Sequence, residues 1–160
     1  MLAGQVAAWQ DRPMQDRPIL LHTKGDTRAP IDPAQVGRIV EQTFPEALGV
    51  WIYGSYAQGR ARRDSDLDIA ILPDRPIDAW ERIERAQDVA VGVHREVDLV
   101  DLGTVSDLLR YEVVAHGIRV GARDPERCDL FELASLGKFY DQSLMLREWM
   151  QEIKARGSVY

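Results

Sequence analysis

Gly54-Ser55 is followed, after ten intervening residues, by Asp66-Leu67-Asp68, and each half of this arrangement is framed by an apolar run. Val50-Trp51-Ile52-Tyr53 leads into the Gly-Ser pair, and the run from Leu67 to Leu72 carries the aspartates at its start. Side chains alternate along a strand, so Asp66 and Asp68 share one face while Leu67, Ile69 and Ile71 share the other. The two Cα atoms then lie about 6.5 Å apart. Carboxylate oxygens at that span can converge on two divalent cations about 3.5–4 Å from one another. Without cations the paired carboxylates would repel in a partly buried site. Magnesium fits best, being a hard ion that binds oxygen ligands together with substrate phosphates. Gly54 admits a positive φ or a close backbone approach that a Cβ would block. Ser55 adds a hydroxyl and a backbone N–H able to face a phosphate oxygen. A phosphate cradle beside metal-binding carboxylates is the equipment for transfer at a phosphorus centre.

The loop joining the two halves carries Arg60, Arg62 and Arg63. Arginines there can contact a triphosphate or stabilise leaving pyrophosphate, and Arg60 and Arg63 are taken as nucleotide-binding candidates. The rest of the chain argues against a general nucleic-acid binder: its net charge is −6 and its pI about 5.1, where such a binder presents a basic face. At 160 residues, 45% hydrophobic and 29% charged, it reads as one globular domain. The single cysteine, Cys128, excludes an internal disulfide and fits a reducing compartment. It is expected to be a plain, semi-buried thiol near a helix start. No apolar stretch approaches the roughly 18 residues of a membrane span. The N-terminus lacks a signal-peptide pattern, so a cytoplasmic location is expected.

The elements that must position these residues follow from punctuation and periodicity. Residues 1–30 contain Pro13, Pro18 and Pro30 and read as an extension of uncertain order, with Ile19-Leu20-Leu21-His22 as a short strand candidate. Residues 31–160 form the domain. Asp32-Pro33 caps and opens a helix whose face is Val36, Ile39, Val40 and Phe44. After the two motif strands, a helix is expected from about Asp78 to Val91, with Trp80, Ile83, Ala86 or Gln87, and Ala90 inward. The segment Glu96 to Leu102 is a strand, with Asp98, Val100 and Leu102 on one face and Val97, Leu99 and Asp101 on the other. Asp101 is expected at a solvated strand end. Thr104 is read as the cap of a helix ending near His116 and Gly117. After Ile118-Arg119-Val120, Asp124-Pro125 opens a long helical stretch to about Ala155, which Gly137 is expected to bend or divide. The order gives an α/β (α+β) fold: a small mixed sheet, helices packed on one side, and a C-terminal helical segment.

At Gly54-Ser55 and Asp66-Leu67-Asp68 the chain resembles the DNA polymerase β-like nucleotidyltransferase superfamily. The resemblance implies that the Gly-Ser turn holds a nucleoside triphosphate and that Asp66 and Asp68 bind metal. It also implies a third carboxylate on a neighbouring strand, for which Asp98 is chosen over the strand-end Asp101 and the weaker Glu96. The stretch Leu108-Leu109-Arg110-Tyr111-Glu112-Val113-Val114-Ala115-His116-Gly117-Ile118 further resembles the minimal nucleotidyltransferase (MNT) proteins. So does Phe131-Glu132 through Phe139-Tyr140-Asp141, and the likeness covers about residues 34–155.

MNT proteins of this size are typically encoded beside a HEPN-domain ribonuclease, and some silence it by transferring AMP from ATP to a tyrosine. The resemblance therefore implies an antitoxin-type protein adenylyltransferase. It would use ATP and two Mg²⁺ ions, with Asp66, Asp68 and Asp98 as ligands and a cognate HEPN toxin as partner, and would bind no nucleic acid or membrane directly. Two rival expectations stand beside it. One is an antitoxin acting by binding and occlusion; the other is an aminoglycoside-type small-molecule nucleotidyltransferase.

Overall fold

The computed structural model describes residues 31–156. The expected N-terminal extension, with its Ile19–His22 strand candidate, lies outside them. In chain order the elements are α1 (Pro33–Thr43), β1 (Ala47–Ile52), α2 (Gly54–Ala57), β2 (Leu67–Pro73) and α3 (Ala79–Val93). They continue with β3 (Val97–Asp101), α4 (Asp107–His116), β4 (Ile118–Ala122) and α5 (Pro125–Arg156). The sheet order is β3-β2-β1-β4. β1 is antiparallel to both of its neighbours, while β2 and β3 are parallel. That mixture follows from the connections: a parallel neighbour requires a crossover, which α3 supplies between β2 and β3.

All six residues of β1 are buried, which makes it the axis of the domain. On one face Val50 and Ile52 join Leu67, Ile69, Ile71 and Leu99 beneath Val36, Val40 and Val89 of α1 and α3. On the other, Trp51 joins Ala70, Leu102, Val113 of α4 and Cys128 of α5. The helices expected on one side are thus α1 and α3, and the C-terminal helical segment covers part of the opposite face. A bulge between Ala47 and Gly49 breaks the alternation and turns Leu48 onto the face of Trp51. Trp51 donates its indole N–H to Glu132 at 3.0 Å, tying the second layer to the sheet. Each such large side chain, fully buried, contributes about 1.5–3 kcal/mol, so the strand leading to the Gly-Ser turn is held rigidly.

Several helix boundaries follow local chemistry. Asp32 accepts from the Ala34 N–H at 3.0 Å and Pro33 opens α1. Asp78 caps α3, and His94 closes it in the left-handed region at φ 54°. Other expectations are corrected. The cap of α4 is Ser106, accepting from Leu109 N–H; the Thr104 hydroxyl instead donates to the Asp101 carbonyl. Gly137 does not divide α5, which runs unbroken for 32 residues; nothing lies near enough to force a bend.

Trp80 and Ile83 are exposed, not inward: Trp80 is 75% and Ile83 47% accessible. The packed face of α3 is Ala86, Val89 and Val93, and Trp80 sits roughly 140° around the helix from it at 100° per residue. Cys128 is fully buried. Its thiol donates to the Leu48 carbonyl at 3.4 Å, and burial pushes its pKa up despite nearby Arg119.

At the end of β1 away from the Gly-Ser turn, Glu46 is buried among cations. Its Oε1 accepts from Arg85 at 2.6 Å and lies 3.6 Å from Arg75, while Oε2 is buried with no hydrogen-bond partner among the described residues. Arg85 also pairs with Glu81 and lies over the Phe44 ring, 5.5 Å from its centroid. Removing the nearer of the two cations leaves a buried carboxylate with only the longer, largely exposed Arg75 contact. Arg85→Ala is therefore expected to lower the unfolding free energy by about 3 kcal/mol. Arg75→Ala, at a largely exposed guanidinium, should change it by less than ~1 kcal/mol. Urea denaturation followed by circular dichroism measures both.

Candidate active site

The site begins where β1 stops. Tyr53 is the N-cap of α2, a single turn that starts at Gly54. Gly54 has φ +66°, a conformation in which an L side chain is strained. Space is equally restrictive there, since a Cβ would stand 2.2 Å from Asp68 Oδ2. The Tyr53 N–H donates to the Asp68 carbonyl at 3.0 Å, and the Ser55 N–H donates to the Asp68 carboxylate. The turn is thus seated directly against the second motif half. The loop beyond it is folded locally: Tyr56 is buried and its hydroxyl donates to the Ser65 carbonyl at 3.4 Å. The Arg62 N–H donates to Ser65 Oγ at 2.8 Å. Arg95 covers the Tyr56 ring at 5.9 Å from its centroid.

The parallel pairing of β2 with β3 sets Asp68 level with Asp98. Neighbours in register point to the same face, so these two carboxylates stand side by side. Asp66 lies at the entrance to β2. The Asp68 carboxyl is held above its ordinary range by burial first, then by Asp98 and Asp66, against the Ser55 N–H. Tyr53, opposite Asp68 across β1, is pushed up to about 12 by burial and by the same Asp68 and Asp98 charges. Mutual repulsion of this kind marks one shared, partly enclosed space that a cation would neutralise. An all-oxygen donor set suits Mg²⁺. Among the described residues, no three side chains close on a common point as a ready-made metal cage.

Of the residues singled out from the sequence, Gly54, Ser55, Asp68 and Asp98 are brought together, while Asp66, exposed just before β2, acts on Asp68 through its charge. Arg60, which hydrogen-bonds Gln58, and Arg63 lie exposed on the loop between α2 and β2. Glu96 is exposed and contributes its carbonyl to the Leu67 N–H at 2.8 Å. Asp101 corrects its expectation: it is only 2% exposed, and its carboxylate accepts from the Gly103 N–H at 2.7 Å, shaping the turn after β3. Tyr53 was not singled out. Its position one residue before Gly54, in the alternation that carries Trp51 to the second face, is the signal that places it beside Asp68.

This combination of a mixed sheet, a Gly-Ser turn seated on a strand aspartate and a second aspartate in parallel register defines a nucleotidyltransferase fold. Residues 35–126, more than half of the chain, match the family described as Polymerase beta, Nucleotidyltransferase, and the chain belongs to that family. It is 38% identical over 80 residues to the protein adenylyltransferase MntA of Shewanella oneidensis, across 50% of this chain and 58% of that protein. The match therefore spans little more than half of that relative's length. It is 37% identical over 79 residues to the probable protein adenylyltransferase MntA of Haemophilus influenzae, across 48% of this chain and 68% of that one. The fold matches a chain in a crystal structure of a toxin–antitoxin with AMP-PNP, with a TM-score of 0.65 and 26% identity, covering 78% of this chain and 99% of that one.

Two outcomes follow from this geometry. Gly54→Ala adds a strained φ and a clash with Asp68, so the fold should lose about 1–3 kcal/mol. Calorimetry should also show Mg-ATP binding weakened by about tenfold or more, the scale of one displaced group in a fixed phosphate contact. Asp68→Asn should raise the urea midpoint at neutral pH in the presence of a chelator. A carboxyl whose folded pKa is raised contributes full stability below its unfolded pKa and loses it as the pH rises through the folded value. The gain from the neutral amide should accordingly be present at pH 7 and shrink as the pH falls through the carboxylate range.

Proposed function

We propose that this chain is an antitoxin-type protein adenylyltransferase, moving AMP from Mg-ATP to a hydroxyl, foremost a tyrosine, of a cognate HEPN ribonuclease toxin. The observation that carries the reading is the Gly54-Ser55 turn bonded to Asp68 with Asp98 alongside in register. That arrangement supports the reading of the turn as a phosphate cradle beside paired carboxylates at one end of the sheet. The adenylyltransferase relatives and the AMP-PNP-bound neighbour support the choice of nucleotide and of a protein acceptor.

In this reading Ser55 and the turn's backbone N–H groups hold the triphosphate, and Arg60 and Arg63 reach over its outer phosphates. Asp66, Asp68 and Asp98 would hold two Mg²⁺ ions, which when bound neutralise phosphate charge and favour ionisation of the acceptor hydroxyl. The acceptor oxygen attacks the α-phosphorus. The bond from that phosphorus to the bridging oxygen breaks as the new one forms, and pyrophosphate leaves. Asp98 receives the hydroxyl proton. Catalysis comes from alignment and fixed electrostatics, with no covalent enzyme intermediate. The unit performing this is residues 31–160, acting in the cytoplasm; no helix among the described residues is long and apolar enough to cross a membrane.

One feature favours a second reading, neutralisation by binding alone. The distal part of α5 exposes Leu144, Met145, Leu146, Trp149 and Met150, a concentration of accessible apolar side chains of the kind found at partner surfaces.

Intact mass of the neighbouring gene's product after incubation with this protein and Mg-ATP separates the two. The expected result is a gain of one or more AMP units, abolished in the Asp66→Ala, Asp68→Ala double variant. A stable complex with no gain in mass, and with neutralisation intact in the double variant, would favour occlusion instead.

A further inference from the structure

β3 is an edge strand: the sheet order is β3-β2-β1-β4, and no strand among the described residues pairs with its outer side. Its ladder fixes which backbone groups face outward. The Glu96 carbonyl accepts from Leu67 N–H, and the Leu102 N–H donates to the Ile71 carbonyl, so residues 96, 98, 100 and 102 bond toward β2. In a parallel ladder the intervening residues face the other way. Val97 and Leu99 therefore send their N–H and C=O groups to the open edge.

That edge is the wall of a groove of about 450 Å³. Its other wall is the flank of α3, where Ile83, Ala86, Gln87 and Ala90 face it, with Arg82 among its polar lining. Ile83 is among the residues that the sequence places inward and the structure leaves accessible. The groove is continuous with the site, because Asp98 lines it. Tyr53, Asp68 and Asp98 stand in one row across β1, β2 and β3. The Gly-Ser turn occupies the β1 end of the row and the open edge lies at the other. In-line displacement needs the leaving group and the acceptor on opposite sides of the phosphorus, and the two ends of this row are such a pair of positions.

We propose that the acceptor polypeptide enters as an added β-strand along the outer edge of β3, with its hydroxyl-bearing residue level with Asp98. This rests on the transferase reading above and specifies how the acceptor is held. A strand placed there lies about 4.8 Å from β3 and takes the outward groups of Val97 and Leu99 as hydrogen-bond partners. Its residue opposite Asp98 points onto the carboxylate face, next in the row. The residues on either side of it point to the opposite face, against Ile83, Ala86 and Ala90. The substrate class is thus an extended segment whose modified residue is flanked on both sides by apolar side chains. The hydroxyl oxygen bonds to the α-phosphorus as pyrophosphate departs, and its proton goes to Asp98.

The test uses the full chain with the toxin partner and Mg-ATP. Ile83→Glu and Gln87→Trp alter the groove wall at exposed positions and leave the carboxylates and the Gly-Ser turn untouched. The KM for toxin should rise by about tenfold or more in each, a loss of ~1.4 kcal/mol in acceptor binding. Mg-ATP affinity by calorimetry should be unchanged, kcat should be little altered, and Ile83→Leu should restore the wild-type KM. Hydrogen exchange should show the Val97 and Leu99 amides newly protected in the complex. Unaltered toxin KM in both wall variants, or unprotected Val97 and Leu99 amides in a complex that transfers AMP, overturns strand addition and leaves the transferase intact. Absence of transfer by the wild-type chain, despite bound Mg-ATP, overturns the transferase reading and strand addition together.

Discussion

Asp68 and Asp98 are held side by side against their own repulsion, and much of the site's architecture serves to hold them there. Parallel pairing of β2 and β3 fixes the two residues in register. The Leu67, Ile69, Ile71 and Leu99 side chains buried on the other face prevent a slip, because a shift of one residue would turn every apolar side chain to the wrong face. Burial first, and then the neighbouring carboxylate charges, hold the Asp68 carboxyl and the Tyr53 phenol above their ordinary values. A fold that tolerates such a concentration of negative charge has a surplus of attraction ready for cations and the phosphates that accompany them.

The same constraint explains the turn. Asp68 accepts from the Ser55 N–H, which relieves part of its charge, and that bond requires the chain to leave β1 through a glycine at φ +66°. The Gly-Ser turn and the acidic strand are therefore one structural unit. Its rigidity comes from β1, buried along its full length, and from a second layer in which Trp51, Cys128 and Phe131 lock α5 against the sheet. Burial of apolar surface on both faces supplies the stability from which the repulsive site is maintained.

Away from the site, the molecule separates into tightly packed and open regions. Glu46 with Arg85 closes one end of the sheet by charge. Among the described residues nothing pairs with the β3 edge, and the α3 flank with Trp80 and Ile83 and the far part of α5 are accessible. Open backbone and accessible apolar side chains on a small domain of the polymerase beta nucleotidyltransferase family are the kinds of surface on which another polypeptide can dock.

The sequence by itself determined the motif pair, the alternation that sets Asp68 opposite Leu67, Ile69 and Ile71, the strand carrying Asp98, the cap at Asp32 and the helix ends near Asp78 and Gly117. These are local: each depends on backbone geometry or on a hydrogen bond within a few residues. Only the tertiary structure decided what depends on partners distant in the chain. It set Asp68 level with Asp98, although thirty residues separate them, and drew Tyr53 into the site. It buried Asp101 on its turn at Gly103. It also rotated α3 so that Ala86, Val89 and Val93 pack and Trp80 does not. Helical periodicity identifies an apolar stripe but not which neighbour covers it; a four-stranded sheet ending at β3 offers no surface for the outer flank of α3. Gly137 stayed helical because a glycine weakens a helix by only about 1 kcal/mol, and packing of the surrounding turns, such as the Phe139 ring stacked on Tyr111 at 3.7 Å, outweighs that.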